Sequence, residues 1–370
     1  MRIGIDARLY GAETGLGRYT ENVIKNLETL DSENEYVIFL SPAKFASYQP
    51  AKKNFTRVLA KSRWYTFREQ LEMPRLINQN KIDLMHFPHF NVPLLCSVPF
   101  VVSIHDLILL DFPTARATTL GPFLYWFKYK IGYPLILRNA LSRAKAIITM
   151  AEYTKKRITK LFKINPEKIR VIYEGVAETL KQTAYEVPPK KITKPYLLYV
   201  GNAYPHKNLE ALADVFLDLK KDGLDYSLVL VGKEDYFYNR LKKYIKDKNN
   251  PDAADIILYG FAPDAELAIM YKTAALYVFP SFMEGFGLPP LEAMAHGLPV
   301  ASSNSSCLPE ILGEAALYFD PHDKKAMFEA IKRGLADENI RQDLRENGAR
   351  QIRKYSWKKC AEETLRVYGY

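Results

Sequence analysis

Two carboxylates eight residues apart flank a glycine turn in Ser281-Phe-Met-Glu-Gly-Phe-Gly-Leu-Pro-Pro-Leu-Glu292. Gly285 and Gly287 let the backbone turn sharply and approach a ligand closely. Pro289 and Pro290 suit the first turn of a helix, where a missing N–H costs nothing. The free N–H groups and positive pole of that helix attract an anion. Glu292 lies one turn in and would repel a phosphate, so a vicinal diol such as a ribose is its better partner. Glu284, on the other side of the turn, suits sugar hydroxyls. Together these groups can hold a phosphate and two sets of hydroxyls, the parts of a nucleotide sugar. A bare pair of Glu is a chance event, and the bland alternative is a capped helix with a first-turn acid.

A second constellation is Tyr199-Val-Gly-Asn-Ala-Tyr-Pro-His-Lys-Asn208. It follows an apolar run and precedes a helical pattern. Lys207 is the cation suited to a diphosphate, whose departure is eased when its charge is neutralised. Asn208 is placed to cap the following helix. A third is Gly11-Ala-Glu-Thr-Gly-Leu-Gly-Arg-Tyr19. Its Gly15-x-Gly17 lacks the third glycine of a dinucleotide fingerprint, and reads as a loop that admits a phosphate or sugar, with Arg18 beside it. Fourth, His86, His89 and His105 each lie near the end of an apolar run. His105 is placed to bond a sugar hydroxyl or to stabilise positive charge at a reacting carbon. Asp106 is adjacent, but neighbours on a strand point to opposite faces. His86 and His89 read as local structure in a proline-bounded loop. The spacings fit no helix pair or zinc knuckle. No Asp-x-Asp occurs, so the usual acidic grip on a metal-bound nucleotide sugar is missing, and no metal or cofactor is expected.

The elements that must position these groups follow from the pattern. Arg2–Ile5, Glu35–Leu40, Leu84–Phe87, Phe100–Ile104, Ala146–Met150 and Val171–Tyr173 read as strands, with helical patterns such as Arg18–Leu30 and Leu135–Ser142 between them. After a polar stretch the alternation restarts at Tyr196–Gly201, Leu228–Gly232, Ile256–Gly260, Leu276–Pro280, Val300–Ser302 and Ala316–Phe319. Such alternation is the mark of a mostly parallel sheet. The expected architecture is α/β, with two doubly wound Rossmann-like domains. The first spans residues 1–182, residues 183–195 are the linker, and 196–355 form the second domain. A closing helix over 356–370 is free to pack elsewhere.

Length and composition agree: 370 residues, 48% apolar and 25% charged, describe a soluble two-domain protein. No run of about 18 apolar residues and no signal peptide are visible. Cys96, Cys307 and Cys360 are odd in number and scattered, which suits a reducing cytoplasm. The formal net charge of +10 is uneven. Lys128–Arg170 holds twelve Lys or Arg and two acids, and twelve minus two accounts for all of it. With the aromatic run Phe123–Tyr129 upstream, the 123–170 region is a candidate contact for an anionic membrane surface. The alternative is a solvated helix face. No nucleic-acid motif accompanies it.

Taken together, Gly4–Arg8, Gly15–Tyr19, Ile104–Leu107, Gly201–Asn208, Glu284–Glu292 and Tyr355-Ser-Trp357 resemble a retaining glycosyltransferase of the GT-B fold, family 4, almost end to end. The resemblance implies metal-independent transfer of a hexose from a nucleotide-diphosphate sugar to a glycan or lipid-linked acceptor, at a central cleft between the domains. It also implies roles. Lys207 would hold the diphosphate, Glu284 the donor sugar and Glu292 the ribose. His105 would touch the sugar near its reacting carbon, with Gly15 and Gly17 against the donor. Phe286, Gly287 and Leu288 would offer amides to sugar and phosphates, and Phe261 would meet the base. Many members carry Arg where this chain has Asn202, so the second cationic contact is either lost or supplied by another residue, with Arg18 a candidate. The form Gly-Asn…Pro-His-Lys-Asn looks like the mannosyltransferase branch and favours GDP-mannose. An epimerase, an inverting transferase on the same architecture, and a non-catalytic membrane-surface scaffold are the competing readings.

Overall fold

The computed structural model describes residues 1–11, 14–113, 128–176 and 192–369. Within them the chain divides into two compact units. One holds residues 1–111, 128–175 and 356–369, and the other holds 112–113, 176 and 192–355. Residues 123–127 of the aromatic run and 183–191 of the linker lie outside the described residues.

The first unit is built on a seven-stranded parallel sheet: β1 (Arg2–Asp6), β2 (Glu35–Leu40), β3 (Phe55–Leu59), β4 (Leu84–Phe87), β5 (Phe100–Ile104), β6 (Ala146–Thr149) and β7 (Ile169–Val171). Their order is β3-β2-β1-β4-β5-β6-β7. The second unit has β8 (Tyr196–Val200), β9 (Ser227–Val231), β10 (Ile256–Gly260), β11 (Leu276–Phe279), β12 (Val300–Ser303) and β13 (Leu317–Phe319) in the order β10-β9-β8-β11-β12-β13. Both are doubly wound parallel sheets whose order reverses once, between β1 and β4 and between β8 and β11. At such switch points, outside the carboxyl ends of the strands, ligands bind.

The central strands are near-continuous apolar runs because helices cover both faces of such a sheet. Leu228, Val229, Leu276, Tyr277, Val278 and Phe279 are all buried. A core of Phe39, Met73, Met85, Phe87, Val102, Leu137 and Ile147 fills the first unit. Strand ends differ from the sequence reading by one or two residues, with β7 moved back to Ile169–Val171. The strand β3 is an addition, because it is a half-exposed edge without a continuous apolar run.

The closing helix, Trp357–Tyr368, packs on the first helix, Gly15–Leu30, within the first unit. Trp357, Cys360, Ala361 and Val367 are buried, and so are Thr364 and Tyr368, while Leu365 is only half-buried. The basic region is partly consumed by local structure. Arg157 pairs with Asp111 at 2.6 Å, and Arg143 and Lys168 donate to backbone carbonyls. Among the described residues no helix is long and apolar enough to cross a membrane.

Candidate active site

In the second unit the loops leaving β8 and β11 meet at the switch point. The β8 loop forms a short 3-10 turn, Pro205–Lys207, and the β11 loop runs to helix Leu288–Ala295. The Phe282 amide donates to the His206 carbonyl at 2.8 Å and joins the loops. Lys207 Nζ then lies 2.6 Å from Glu284 Oε1 and 2.8 Å from Oε2. Only 12% and 9% of these two side chains are exposed, so each charge depends on the other. The Phe279 ring lies 5.5 Å from the ammonium.

Asn208 does not cap the helix after it. It adopts a left-handed conformation with φ 59°, and its amide donates to Pro280 O and Pro321 O at 3.2 and 2.9 Å. This ties three loops together behind Lys207. Asn202 also serves the loop: its Oδ1 accepts from the Tyr204 amide at 3.3 Å, and its carbonyl accepts from the Tyr199 hydroxyl at 2.9 Å. Its side chain therefore serves to turn the backbone of its own loop.

Gly287 has φ 96°, and a Cβ there would come within 2.9 Å of Leu308. Both features favour glycine at the turn into helix Leu288–Ala295. The Gly287 and Leu288 amides make no hydrogen bond within the described chain, and Pro289 and Pro290 have none to make. The helix thus presents its positive end with donors unspent. The Phe286 ring is buried against Tyr355, edge to face at 5.4 Å. Its side chain is therefore an anchor, which leaves the backbone to meet a ligand. Glu292 is buried and accepts from the Tyr271 hydroxyl at 3.1 Å. Phe261, beyond β10, is 73% exposed, an unburied ring at a strand's carboxyl end.

The support for Glu284 comes from the loop after β12, which the sequence reading did not include. Ser306, with φ 57°, accepts from the Glu284 amide at 3.0 Å. The buried Cys307 thiol donates to Glu284 O and Phe286 O at 3.4 and 3.5 Å. Burial pushes that thiol well above its ordinary pKa, so it remains a donor. The visible signal was the polar run Ser302–Ser306 after an apolar strand.

In the first unit His105 stands just past β5. Its Nδ1 is 3.0 Å from Glu174 Oε1 and its Nε2 is 3.0 Å from the Pro88 carbonyl. Its partner is Glu174, beyond β7, and Asp106 instead accepts from the Ile108 amide at 2.9 Å. The Tyr19 ring meets His105 edge-on at 4.6 Å. Gly17 is required by its own loop, since a Cβ would lie 2.3 Å from Gly11 O and 2.4 Å from Leu9 O. Gly15 has open space around its Cα. Thr14 caps this helix through the Gly17 amide at 3.0 Å. His86 is wholly buried between Tyr368 and Ser103, at 2.6 and 2.8 Å, and burial pulls its pKa down to about 3. No three metal-binding side chains converge among the described residues. The candidate residues thus form two groups. Lys207, Glu284, Asn202, Phe286–Leu288, Glu292 and Phe261 belong to the second unit, and Gly15, Gly17, Arg18 and His105 to the first.

Comparison with known proteins supplies the context. The Glycosyltransferase Family 4 description matches residues 14–179, and Glycosyl transferases group 1 matches 181–351. O-antigen chain mannosyltransferase B of Escherichia coli is 26% identical over 382 residues, covering 96% of this chain and 96% of that protein. O-antigen chain mannosyltransferase RfbU of Salmonella typhimurium is 31% identical over 271 residues, 73% of this chain and 69% of that protein. Among solved structures, sucrose-phosphate synthase from Thermosynechococcus elongatus has a TM-score of 0.77 at 18% identity, covering 99% of this chain and 98% of that one. Anabaena HepE in complex with UDP and glucose has a TM-score of 0.74 at 16% identity, covering 100% and 99%. Structural likeness at such identity gives the GT-B fold alone. The 31% identical relative and the two family matches go further: this chain belongs to glycosyltransferase family 4 and is a glycosyltransferase.

Proposed function

We propose that this glycosyltransferase moves mannose from GDP-mannose to a hydroxyl of a glycan or lipid-linked acceptor. The reaction retains the anomeric configuration, uses no metal, and serves cell-surface polysaccharide synthesis at the cytoplasmic face of the membrane. The observation that carries the donor half is the Lys207–Glu284 pair at the β8/β11 switch point, beside a helix end with unspent amides. The mannose assignment draws on the mannosyltransferase relatives.

A diphosphate brings the Lys207 ammonium a more highly charged partner than one carboxylate. As Lys207 turns to it, Glu284 is released to accept from the sugar hydroxyls. The Gly287 and Leu288 amides add dipoles aimed at the phosphates, the preorganised stabilisation that lowers the barrier to charge separation. Glu292, held by Tyr271, accepts from the ribose diol, and Phe261 offers a face to the base. The bond from the anomeric carbon to the diphosphate oxygen breaks with its electron pair leaving on the phosphate. The acceptor oxygen bonds to the same face of the carbon, and its proton passes to the departing phosphate oxygen. No carboxylate nucleophile is required, unlike a retaining glycosidase with two close carboxylates. His105, fixed between Glu174 and Pro88, is the residue we assign to contact with the donor sugar near its reacting carbon.

The test is a nucleotide-release screen with GDP-mannose, UDP-glucose and UDP-N-acetylglucosamine, run with and without EDTA, followed by proton NMR of the product. GDP-mannose is expected to turn over fastest, equally in EDTA, and to give the retained anomer. Turnover of a UDP-sugar alone would sink the donor assignment, an EDTA-sensitive rate the metal independence, and an inverted anomer the mechanism.

A further inference from the structure

In the second unit the carboxyl ends of β8, β9 and β10 are drawn together by glycine. Gly232, just past β9, gives its amide to the Gly260 carbonyl at 2.9 Å. A Cβ on Gly232 would lie 2.1 Å from Gly201 O, so only glycine lets the β9 loop rest on the β8 loop. Gly260 ends β10 at φ 85°, a left-handed value that favours glycine. The pairing of β10 with β9 slips between Leu258 and Gly260. Irregularities of this kind re-aim side chains at the end of a strand. The next residue, Phe261, stands exposed.

A carboxylate borders this corner. Glu234 lies in the loop after β9, and its Oε1 is 3.5 Å from the point that a Gly260 Cβ would occupy. Chain neighbours aside, it is the one heavy atom such a Cβ would meet within 4 Å, so the space over Gly260 is open. Gly260 itself is held from below. Its amide donates to the Tyr238 hydroxyl at 2.9 Å, and that hydroxyl donates to the Leu230 carbonyl at 3.1 Å. Glu234 is exposed and makes no hydrogen bond or ion pair among the described residues. Two neighbouring acids are committed. Asp235 caps helix Tyr236–Asp247 through the Phe237 and Tyr238 amides at 2.9 and 3.0 Å, and Glu266 accepts from the Tyr259 hydroxyl.

The chemistry of the two groups differs in what it can tell apart. An aromatic face such as Phe261 stacks on any base, because every base has a π-face. It supplies affinity and little choice. A carboxylate offers two acceptors side by side and no donor. Its best partner is a pair of parallel N–H donors, bonded bidentately. Guanine has that pair on one edge, in N1–H and the 2-amino group. Uracil has a single N–H between two carbonyl oxygens, which a carboxylate repels. Adenine sets its 6-amino group beside a bare ring nitrogen, which is also an acceptor.

We infer that Glu234 is the residue that selects the donor's base: its carboxylate accepts from N1–H and the 2-amino group of a guanine that lies over Gly260 and against Phe261. Gly232 and Gly260 shape the corner, and a side chain on Gly260 would fill the space the base needs. The inference rests on the donor reading above, in which Phe261 meets the base, and adds the group that tells guanine from uracil.

Calorimetric titration of the full chain with GDP, inosine diphosphate and UDP tests it. Inosine diphosphate differs from GDP only in lacking the 2-amino group. The unmodified chain should bind GDP tightest, inosine diphosphate less tightly and UDP least. Glu234→Ala should weaken GDP about tenfold, the scale of one bidentate base contact. It should leave UDP no weaker and close the gap between GDP and inosine diphosphate. Glu234→Gln keeps the shape and loses the charge and one acceptor, so it should lie between the two. The position is exposed, so both variants should fold, and thermal melts check them. A GDP preference that survives in Glu234→Ala would overturn the inference and leave the donor reading standing. Equal binding of GDP and inosine diphosphate by the unmodified chain, or tighter binding of UDP, would also overturn it. Failure of the donor reading has a different signature: GDP-mannose is not turned over, while GDP binding still depends on Glu234.

Discussion

Lys207 and Glu284 are legible in the sequence as separate residues, but their bond to each other is not. Each sits in a recognisable loop, one after Tyr196–Val200 and one after Leu276–Phe279. The distance between them, 77 residues along the chain, is closed only by sheet order. The same holds for Glu174 beside His105 and Ser306 beneath Glu284. In each case the partner comes from another strand's end, which a one-dimensional spacing cannot supply. Asn208 shows the opposite limit: local rules assign it a cap, yet two distant carbonyls claim its amide. The pair itself can be tested. Lys207→Ala removes the cation proposed for the diphosphate and strands a buried Glu284. Glu284→Ala removes the sugar contact and strands the ammonium. Each is expected to cut transfer by at least about 10²-fold, the scale of losing a charge-stabilising group. Steady-state nucleotide release measures it, and near-wild-type rates in both variants would remove these residues from the active site.

The central strands were readable because a parallel sheet covered on both faces needs uninterrupted apolar runs. The edge strand β3, Phe55-Thr-Arg-Val-Leu59, was not, because an edge position leaves it half-exposed and tolerates polar Thr56 and Arg57 within the run. The closing helix was readable as amphipathic but not in what it touches. Its last turn puts Tyr368 OH 2.6 Å from His86 Nδ1, and His86 Nε2 continues to Ser103, which bonds Tyr19 at 3.0 Å. All four are buried, so this chain of hydrogen bonds fixes the helix to β4, β5 and the first helix together. Tyr368→Phe keeps the ring and deletes one link, leaving a buried imidazole nitrogen unpaired. A loss of about 1–3 kcal/mol is expected in urea unfolding. Leu365→Ala, at a half-buried position two turns in, should cost less. Equal or no loss from Tyr368→Phe would mean that apolar packing alone seats the helix.

At the scale of the molecule, the two units respond differently to acid. Burial lowers His86, His89 and His206 to about 3, from an ordinary value near 6.5. The neighbouring Lys207 also disfavours protonation of His206. A base with its pKa depressed in the folded state binds fewer protons there than in the unfolded chain, so stability falls as pH drops from about 6.5 toward 3. At pH 5.5 each such imidazole costs on the order of 1 kcal/mol relative to neutral pH. The first unit carries two and the second one, so the loss in the first is about twice that in the second. Carboxylates titrate mostly below this point, so the step from pH 7.5 to 5.5 isolates the imidazoles. Hydrogen exchange monitored at β4 and at β8 should therefore show the first unit losing about twice the protection free energy of the second. Equal losses would mean that the two units open as one.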